Sequence, residues 1–371
     1  MMRLWLAVIL LAASALGETE TNAPSATLSA AVARREFQMG QALLRENNFA
    51  GAAEAFQRAT QAKPDMAEAY QQWGMALLQL GRLAGTLHLR GQRLQEAAAK
   101  FSRAAELRPE DRATWLLWSE SLVLIGDLPV EPALRLGCYQ GAVEKCRKAV
   151  ELAPKDWEPY YHWANILTTK LVEFATDERA RIGFHKEAAV LYSNAVERAT
   201  FSGDIGRACA NWGAALVRAA RATSNAEERQ KLLREAIAKF EQSARAVPNA
   251  AVTHTMWGSA LVQLGKLTRL RNEFRDAVNQ FNLSLSLNPD DPATLYALAC
   301  AHALMGNPIM TIETLKRCFA VDPTDSYRQL ALQDPDLASL RDEPSFKELF
   351  AIPSPRPGPP ADNPPLRDRP R

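Results

Sequence analysis

Apolar and small residues along this chain recur in two alternating phrases, each at helical spacing. The first reads QQWGMALLQLG (71–81), LLWSESLVLIG (116–126), YHWANILTTKL (161–171), ANWGAALVRAA (210–220) and TMWGSALVQLG (255–265). In every copy the tryptophan is followed by Gly, Ser or Ala and, four positions on, by Leu, so Trp and Leu share one helical face. The second phrase falls between the copies: AAEAFQRATQAKP (52–64), AAAKFSRAAELRP (97–109), AVEKCRKAVELAP (142–154), AIAKFEQSARAVP (236–248) and AVNQFNLSLSLNP (277–289). It runs Ala, a bulky residue four later, a small residue three after that, and a closing Pro. Small residues let two helices approach closely, and proline ends the second one because it lacks a donor and pushes its predecessor out of the helical region. The pattern therefore predicts helix, turn, helix, proline, repeated along the chain.

The tryptophans Trp73, Trp118, Trp163, Trp212 and Trp257 recur every 45 to 49 residues, the kind of fixed period that marks a solenoid. Together the two phrases resemble tetratricopeptide repeats, whose pattern is W-x2-L-G-x2-Y, then A-x3-F, then A-x4-P. Seven repeats are read, starting near Ala33, Ala67, Arg112, Trp157, Gly206, Ala251 and Pro292 and covering residues 33–323. Individual copies depart from the pattern: Thr200 stands for the proline in the fourth, Cys146 for the aromatic in the third, and Leu298 for the tryptophan in the last. The resemblance implies an all-α, right-handed α-solenoid of seven helix hairpins, with the tryptophans packed as the structural core of the repeats.

Five hairpins, the second to the sixth, carry seven to twelve extra residues between the two phrases. Eleven residues are about three helical turns, so a helix absorbs them without rotating its apolar face. The stripe Leu267, Leu270, Phe274, Val278, Phe281, Leu285 runs through the sixth insert, and Ser224 with Glu227 suggests a capping box in the fifth. These inserts are expected to lengthen the second helices at their N-terminal ends, with Gly81, Gly126 and Gly265 closing the first helices. Leu94, Leu134, Ile182, Leu233 and Phe274 would then be buried in a ledge of stacked overhangs.

The ends read differently. Residues 1–17, MMRLWLAVILLAASALG, combine one Arg, a short apolar run and a small-residue cleavage site, the pattern of a signal peptide, too short for a convincing membrane span. Export to a periplasm or the exterior, in a bacterial envelope, is expected, with no integral span after cleavage. Residues 18–32 read as a flexible leader. Residues 324–350, including DPDLASLRDEPSFKELF, resemble the closing segment of bacterial tetratricopeptide-repeat proteins; a last repeat needs such a cap to cover its stacking face. Residues 351–371 are Pro-rich and cannot build a packed core.

Composition narrows the chemistry. With 47% hydrophobic and 23% charged residues over 371 positions the chain is a folding one, and a net charge of +2 without a basic run does not suggest nucleic acid. Cys138 and Cys146 lie too far apart on one helix to bridge; a bridge between Cys300 and Cys318 is geometrically conceivable, but buried thiols account for the cysteines better. The five histidines are scattered, no i, i+4 metal pair or phosphate-cradling loop occurs, and no metal or cofactor is expected.

What remains is a non-catalytic scaffold or adaptor for an unknown protein or peptide, with a self-associating structural module as the alternative. In tetratricopeptide superhelices the concave face is lined by the first helix of each pair. The resemblance places there Phe37, Gln38 and Gln41, Gln71, Gln72 and Met75, Leu116 and Glu120, Tyr161, His162 and Asn165, and Asn211 and Arg218. This groove reads as polar-neutral and aromatic, and the lysine, arginine and asparagine clamp that chaperone-binding relatives use for a terminal carboxylate does not recur. Recognition of an acidic C-terminal tail is accordingly not expected.

Overall fold

The structure, a computed structural model, describes residues 23–351, with side-chain environments from Thr27 to Phe350. The segment expected as a signal peptide and residues 352–371 of the Pro-rich tail lie outside the described residues. Those described form helices and turns, grouped into two compact units divided along the chain after Leu128.

Unit 1 consists of α1 (Ala23–Arg45), α2 (Phe49–Ala62), α3 (Ala67–Leu83), α4 (Leu87–Leu107) and α5 (Arg112–Gly126). Three of these helices start on a side-chain cap. Asn48, Thr86 and Asp111 accept backbone N–H groups of the first turns of α2, α4 and α5 (3.0, 3.3 and 3.1 Å), removing orphan donors. Asn47 turns the chain between α1 and α2 with a positive φ of 59°.

Unit 2 runs through α6 (Pro132–Leu152), α7 (Glu158–Thr169), a 3₁₀ turn (Leu171–Phe174), α8 (Glu178–Arg198), α9 (Ser202–Ala222), α10 (Ala226–Ala246), α11 (Ala251–Thr268), α12 (Arg271–Leu287), α13 (Pro292–Leu304) and α14 (Pro308–Val321). It closes with α15 (Ser326–Gln333), a second 3₁₀ turn (Pro335–Leu340) and α16 (Pro344–Ala351). Consecutive helices pack as antiparallel pairs, and the unit is an all-α repeat fold like unit 1.

The repeated core explains the two phrases. Phe56, Phe101, Phe240 and Phe281 are fully buried, and each ring lies against the glycine that follows Met39 or the repeat tryptophan on its partner helix: Gly40, Gly74, Gly213 and Gly258. A Cβ at any of these glycines would meet the ring at 2.6–2.7 Å, so only Gly admits the aromatic at this distance. Burying each ring contributes roughly 1.5–3 kcal/mol, which makes this contact the main apolar bond within a hairpin.

Four expectations are corrected. Residues 23–32 are helical, not a flexible leader: they extend α1, rich in Ala and Leu, and the Ser29 hydroxyl donates to the carbonyl of Ala62 at the end of α2. Gly81 and Gly265 do not close their helices; α3 and α11 run on to Leu83 and Thr268, so first as well as second helices are lengthened. The N-cap of α10 is Asn225, whose Oδ1 accepts from the amides of Glu227 and Glu228 (2.9 and 3.0 Å), because the Ser224 hydroxyl is taken by Glu178. Within the overhangs, Leu94, Leu233 and Phe274 are buried, but Leu134 is exposed and Ile182 only half-buried.

The reason for the last difference is register. Leu94, Leu233 and Phe274 sit three residues before the first Ala of the second phrase. The equivalent residues in the two intervening repeats are Tyr139 and His185, and both are buried. Leu134 and Ile182 lie on other faces of α6 and α8.

All five cysteines are free and buried, so Cys300 and Cys318 are not bridged. The Cys318 thiol donates to the carbonyl of Pro292 at 3.3 Å, which satisfies it without a partner sulfur. Leu337 and Leu340 of the second 3₁₀ turn and Phe346 and Leu349 of α16 are buried in one cluster with Leu315 and Phe319 of α14.

Candidate functional site

The exposed faces of the first helices are the candidate site, and each unit presents its own. In unit 1, Phe37, Gln38 and Gln41 of α1 line a cavity of about 430 Å³ with Arg34, Lys63 and Met66, and Phe37 is tilted against Phe56 at 5.6 Å between ring centres. Gln72 and Met75 are half-buried on α3. Gln71 is not free: its amide donates to Asp111 (2.6 Å) and Thr114 (2.9 Å), tying α3 to the start of α5. Glu120 forms an ion pair with Arg82, and Leu116 is buried, away from the exposed face.

Unit 2 contributes a hydrogen-bonded network across three helices. The Asn211 amide on α9 donates to the Tyr161 hydroxyl (2.8 Å) and to Asn165 Oδ1 (3.0 Å) on α7. Tyr192 on α8, fully buried, donates its hydroxyl to the same Asn165 oxygen at 2.8 Å and lies 3.3 Å from Thr168 Oγ1. Burial pushes the Tyr192 phenol above its ordinary range, so it remains a donor. His162 packs edge-on against Tyr161 and lies 3.8 Å from Glu158. Arg218 is exposed and pairs with no carboxylate among the described residues. The residues on the faces thus divide into those bonded between neighbouring repeats and those whose polar groups face solvent.

The tryptophans occupy one repeated place. Trp212 is buried and Trp73, Trp118, Trp163 and Trp257 are half-buried, with Lys100, Arg147 and Lys239 lying over the outer faces of Trp73, Trp163 and Trp212 at 3.8, 4.8 and 3.6 Å. For these three, the apolar body packs between helices while a cation from a neighbouring second helix, α4 or α10 of the same hairpin or α6 of the preceding one, covers what remains.

Cys300, Asp334 and Asp336 bring one ligand atom each within 4.8 Å of one another. Asp334 already accepts from Tyr296 (2.8 Å), and Asp336 is paired with Lys266. The cluster clasps α13 to the turn beyond α15. No helix among the described residues is long and apolar enough to cross a membrane.

Residues 37–112 match the family model for the tetratricopeptide repeat. The C-terminal part of a repeat-containing protein from Cytophaga hutchinsonii superposes over 80% of this chain and all of its own length, with a TM-score of 0.54 at 13% identity. Residues 37–112 thus carry the tetratricopeptide repeat, and the described chain as a whole shares the all-α repeat fold. Other similar structures of this repeat protein are PilW, described as a type IV pilus biogenesis factor (TM-score 0.49, 18% identity, covering 70% of this chain and 98% of PilW), and YrrB, described as a TPR protein with an unusual peptide-binding site (TM-score 0.43, 18% identity, 64% and 100%). At these identities the likeness is one of fold.

Sequence reasoning located Tyr161, Asn165 and Asn211 by place in the repeat. It missed Tyr192, which supplies the buried hydroxyl beneath them, and Arg221, which follows Arg218. The signal for Tyr192 was present: it replaces Phe in the A-x3-F phrase, and a phenol in a buried aromatic slot requires an acceptor nearby.

Proposed function

We propose that this repeat protein is a non-catalytic scaffold that holds a partner polypeptide on the exposed faces of its first helices and works outside the cytoplasm. The observation that carries the first part is preorganisation. Gln71 and Asn211 are locked by bonds between neighbouring repeats, so each face is a rigid platform before a partner arrives, and a rigid platform loses little entropy on binding. The apolar run and small-residue site of residues 1–17 support export.

The test is crosslinking in the native cell from a photoreactive residue placed at Gln72 or His162, followed by co-purification. Capture of one discrete partner, lost when the probe moves to the opposite face at Glu144 or Glu241, is expected. Equal capture from both faces overturns the reading. For export, the mature chain is expected to begin at Glu18 and to fractionate away from the cytoplasm; intact Met1 on cytoplasmic protein overturns it.

A self-associating module is favoured by one observation: Leu28, Val32 and Met39 form an exposed apolar stripe on α1. Sedimentation of the pure protein separates the readings, since a discrete dimer supports self-association and a monomer that captures a second protein supports the scaffold.

A further inference from the structure

Unit 2 carries cations for which the described chain supplies no counter-charge. Along α9, Arg207, Asn211, Arg218 and Arg221 follow at spacings of four, seven and three residues, close to one helical stripe. Asp204 is the single acid on this helix and lies 3.7 Å from Arg207. Asn211 is engaged with α7, as shown above.

Arg218 and Arg221 are both exposed, and neither forms an ion pair with a described carboxylate. Arg221 donates from Nε to Gln263 Oε1 at 3.0 Å, a neutral acceptor. Unit 1 shows what a matched arginine looks like: Arg82 holds the same place in its own repeat, and its partner on the next first helix is Glu120.

Like charges three residues apart on a helix repel. Arg218 is also partly desolvated above Tyr192 and the buried ring of His185, and burial together with Arg221 holds its guanidinium below the ordinary arginine range. An anion placed here relieves both costs.

We infer that Arg218 and Arg221 are the docking point for an acidic segment of the partner polypeptide, one that brings two or more carboxylates to the face of α9. This rests on the scaffold reading above and deepens it. It also reverses the expectation of a polar-neutral groove, because the neutral amides are consumed by bonds between repeats and the cations are what is left over. Guanidinium forks take carboxylates in bidentate pairs, so the contact supplies orientation as well as charge. Being exposed, it weakens with salt.

The probe is a fluorescein-labelled peptide of six glutamates flanked by Gly-Ser, measured by anisotropy on the full chain beside the same peptide with six glutamines. Binding of the Glu peptide alone is expected. The double variant Arg218→Gln, Arg221→Gln should weaken it at least tenfold, the double Lys variant less, and the equal-charge control Arg234→Gln, Arg245→Gln on α10 less than twofold. Undiminished binding by the first variant, an equal loss in the control, or tighter binding of a labelled single-stranded DNA than of the Glu peptide overturns the inference. Partner capture keeps the two proposals distinguishable: a partner held equally by wild type and the Arg218→Gln, Arg221→Gln variant removes the acidic contact and leaves the scaffold reading standing.

Discussion

Gly265 lies beneath the ring of Phe274, so close that a methyl group on its Cα would stand 2.8 Å from Cε1 and 2.9 Å from Cζ. The glycine sits inside α11, and its function is to admit the ring of the following helix. Gly265→Ala is therefore expected to destabilise the protein by about 1–3 kcal/mol through overpacking, although alanine is the better helix former by about 1 kcal/mol. Gly183, on α8 with nothing near its missing Cβ, is the control: Gly183→Ala should be neutral or stabilising. Denaturant midpoints of the two variants check this, and equal shifts would remove the packing argument.

Phe274 is the other half of that contact. Its truncation leaves a cavity against Gly265 that the rigid backbone of α11 fills poorly, so Phe274→Ala should cost about 3 kcal/mol or more. The denaturant midpoint measures it, beside hydrogen exchange across residues 266–276. Rapid exchange there with an unshifted midpoint would show that the overhang contributes nothing.

The closing segment gives a third test. Leu337, Leu340 and Phe346 are buried against α13 and α14, and serine at all three would strip the apolar cover from the last hairpin. Lowered thermal stability and binding of a hydrophobic dye are expected. Unchanged unfolding would mean that α13 and α14 stand without the cap.

His185 sets a pH dependence. It fills the slot held elsewhere by Leu94, Tyr139, Leu233 and Phe274, and its Nδ1 has no hydrogen-bond partner. Burial, with Arg218 as a nearby positive charge, pushes its pKa down to about 4 from the ordinary 6.5. The unfolded chain thus takes up a proton that the folded one refuses. Stability is unaffected by this group above about pH 6.5 and declines as pH falls from there towards 4, by no more than about 3 kcal/mol. His185→Leu should flatten that part of the stability curve, measured by urea midpoints at pH 7 and pH 4.5; an identical slope in both proteins would show that His185 is not responsible.

Much of the architecture is legible in the residues alone, and one comparison shows where legibility ends. The A-x3-F phrase names Phe56, Phe101, Phe240 and Phe281, and all four are buried, because a residue type repeated at fixed helical spacing reports a face that must leave water wherever it recurs. The overhang slot is buried just as consistently, yet it holds Leu, Tyr, His, Leu and Phe, so no repeated residue type marks it, and reading by hydrophobicity selected Leu134 and Ile182 in place of Tyr139 and His185.

The sequence by itself determined the all-α hairpin repeat, its period and its aromatic core, since these follow from local periodicity carried in the covalent chain. Tertiary structure alone decided two things. Gly81 and Gly265 are contact points and not helix ends, because a glycine permits a stop and a close approach equally and only the ring or side chain opposite chooses between them. Asn165 and Asn211 are consumed while Arg218 and Arg221 face no carboxylate partner among the described residues, because a hydrogen bond or ion pair belongs to two residues some forty to fifty positions apart and neither one announces its partner.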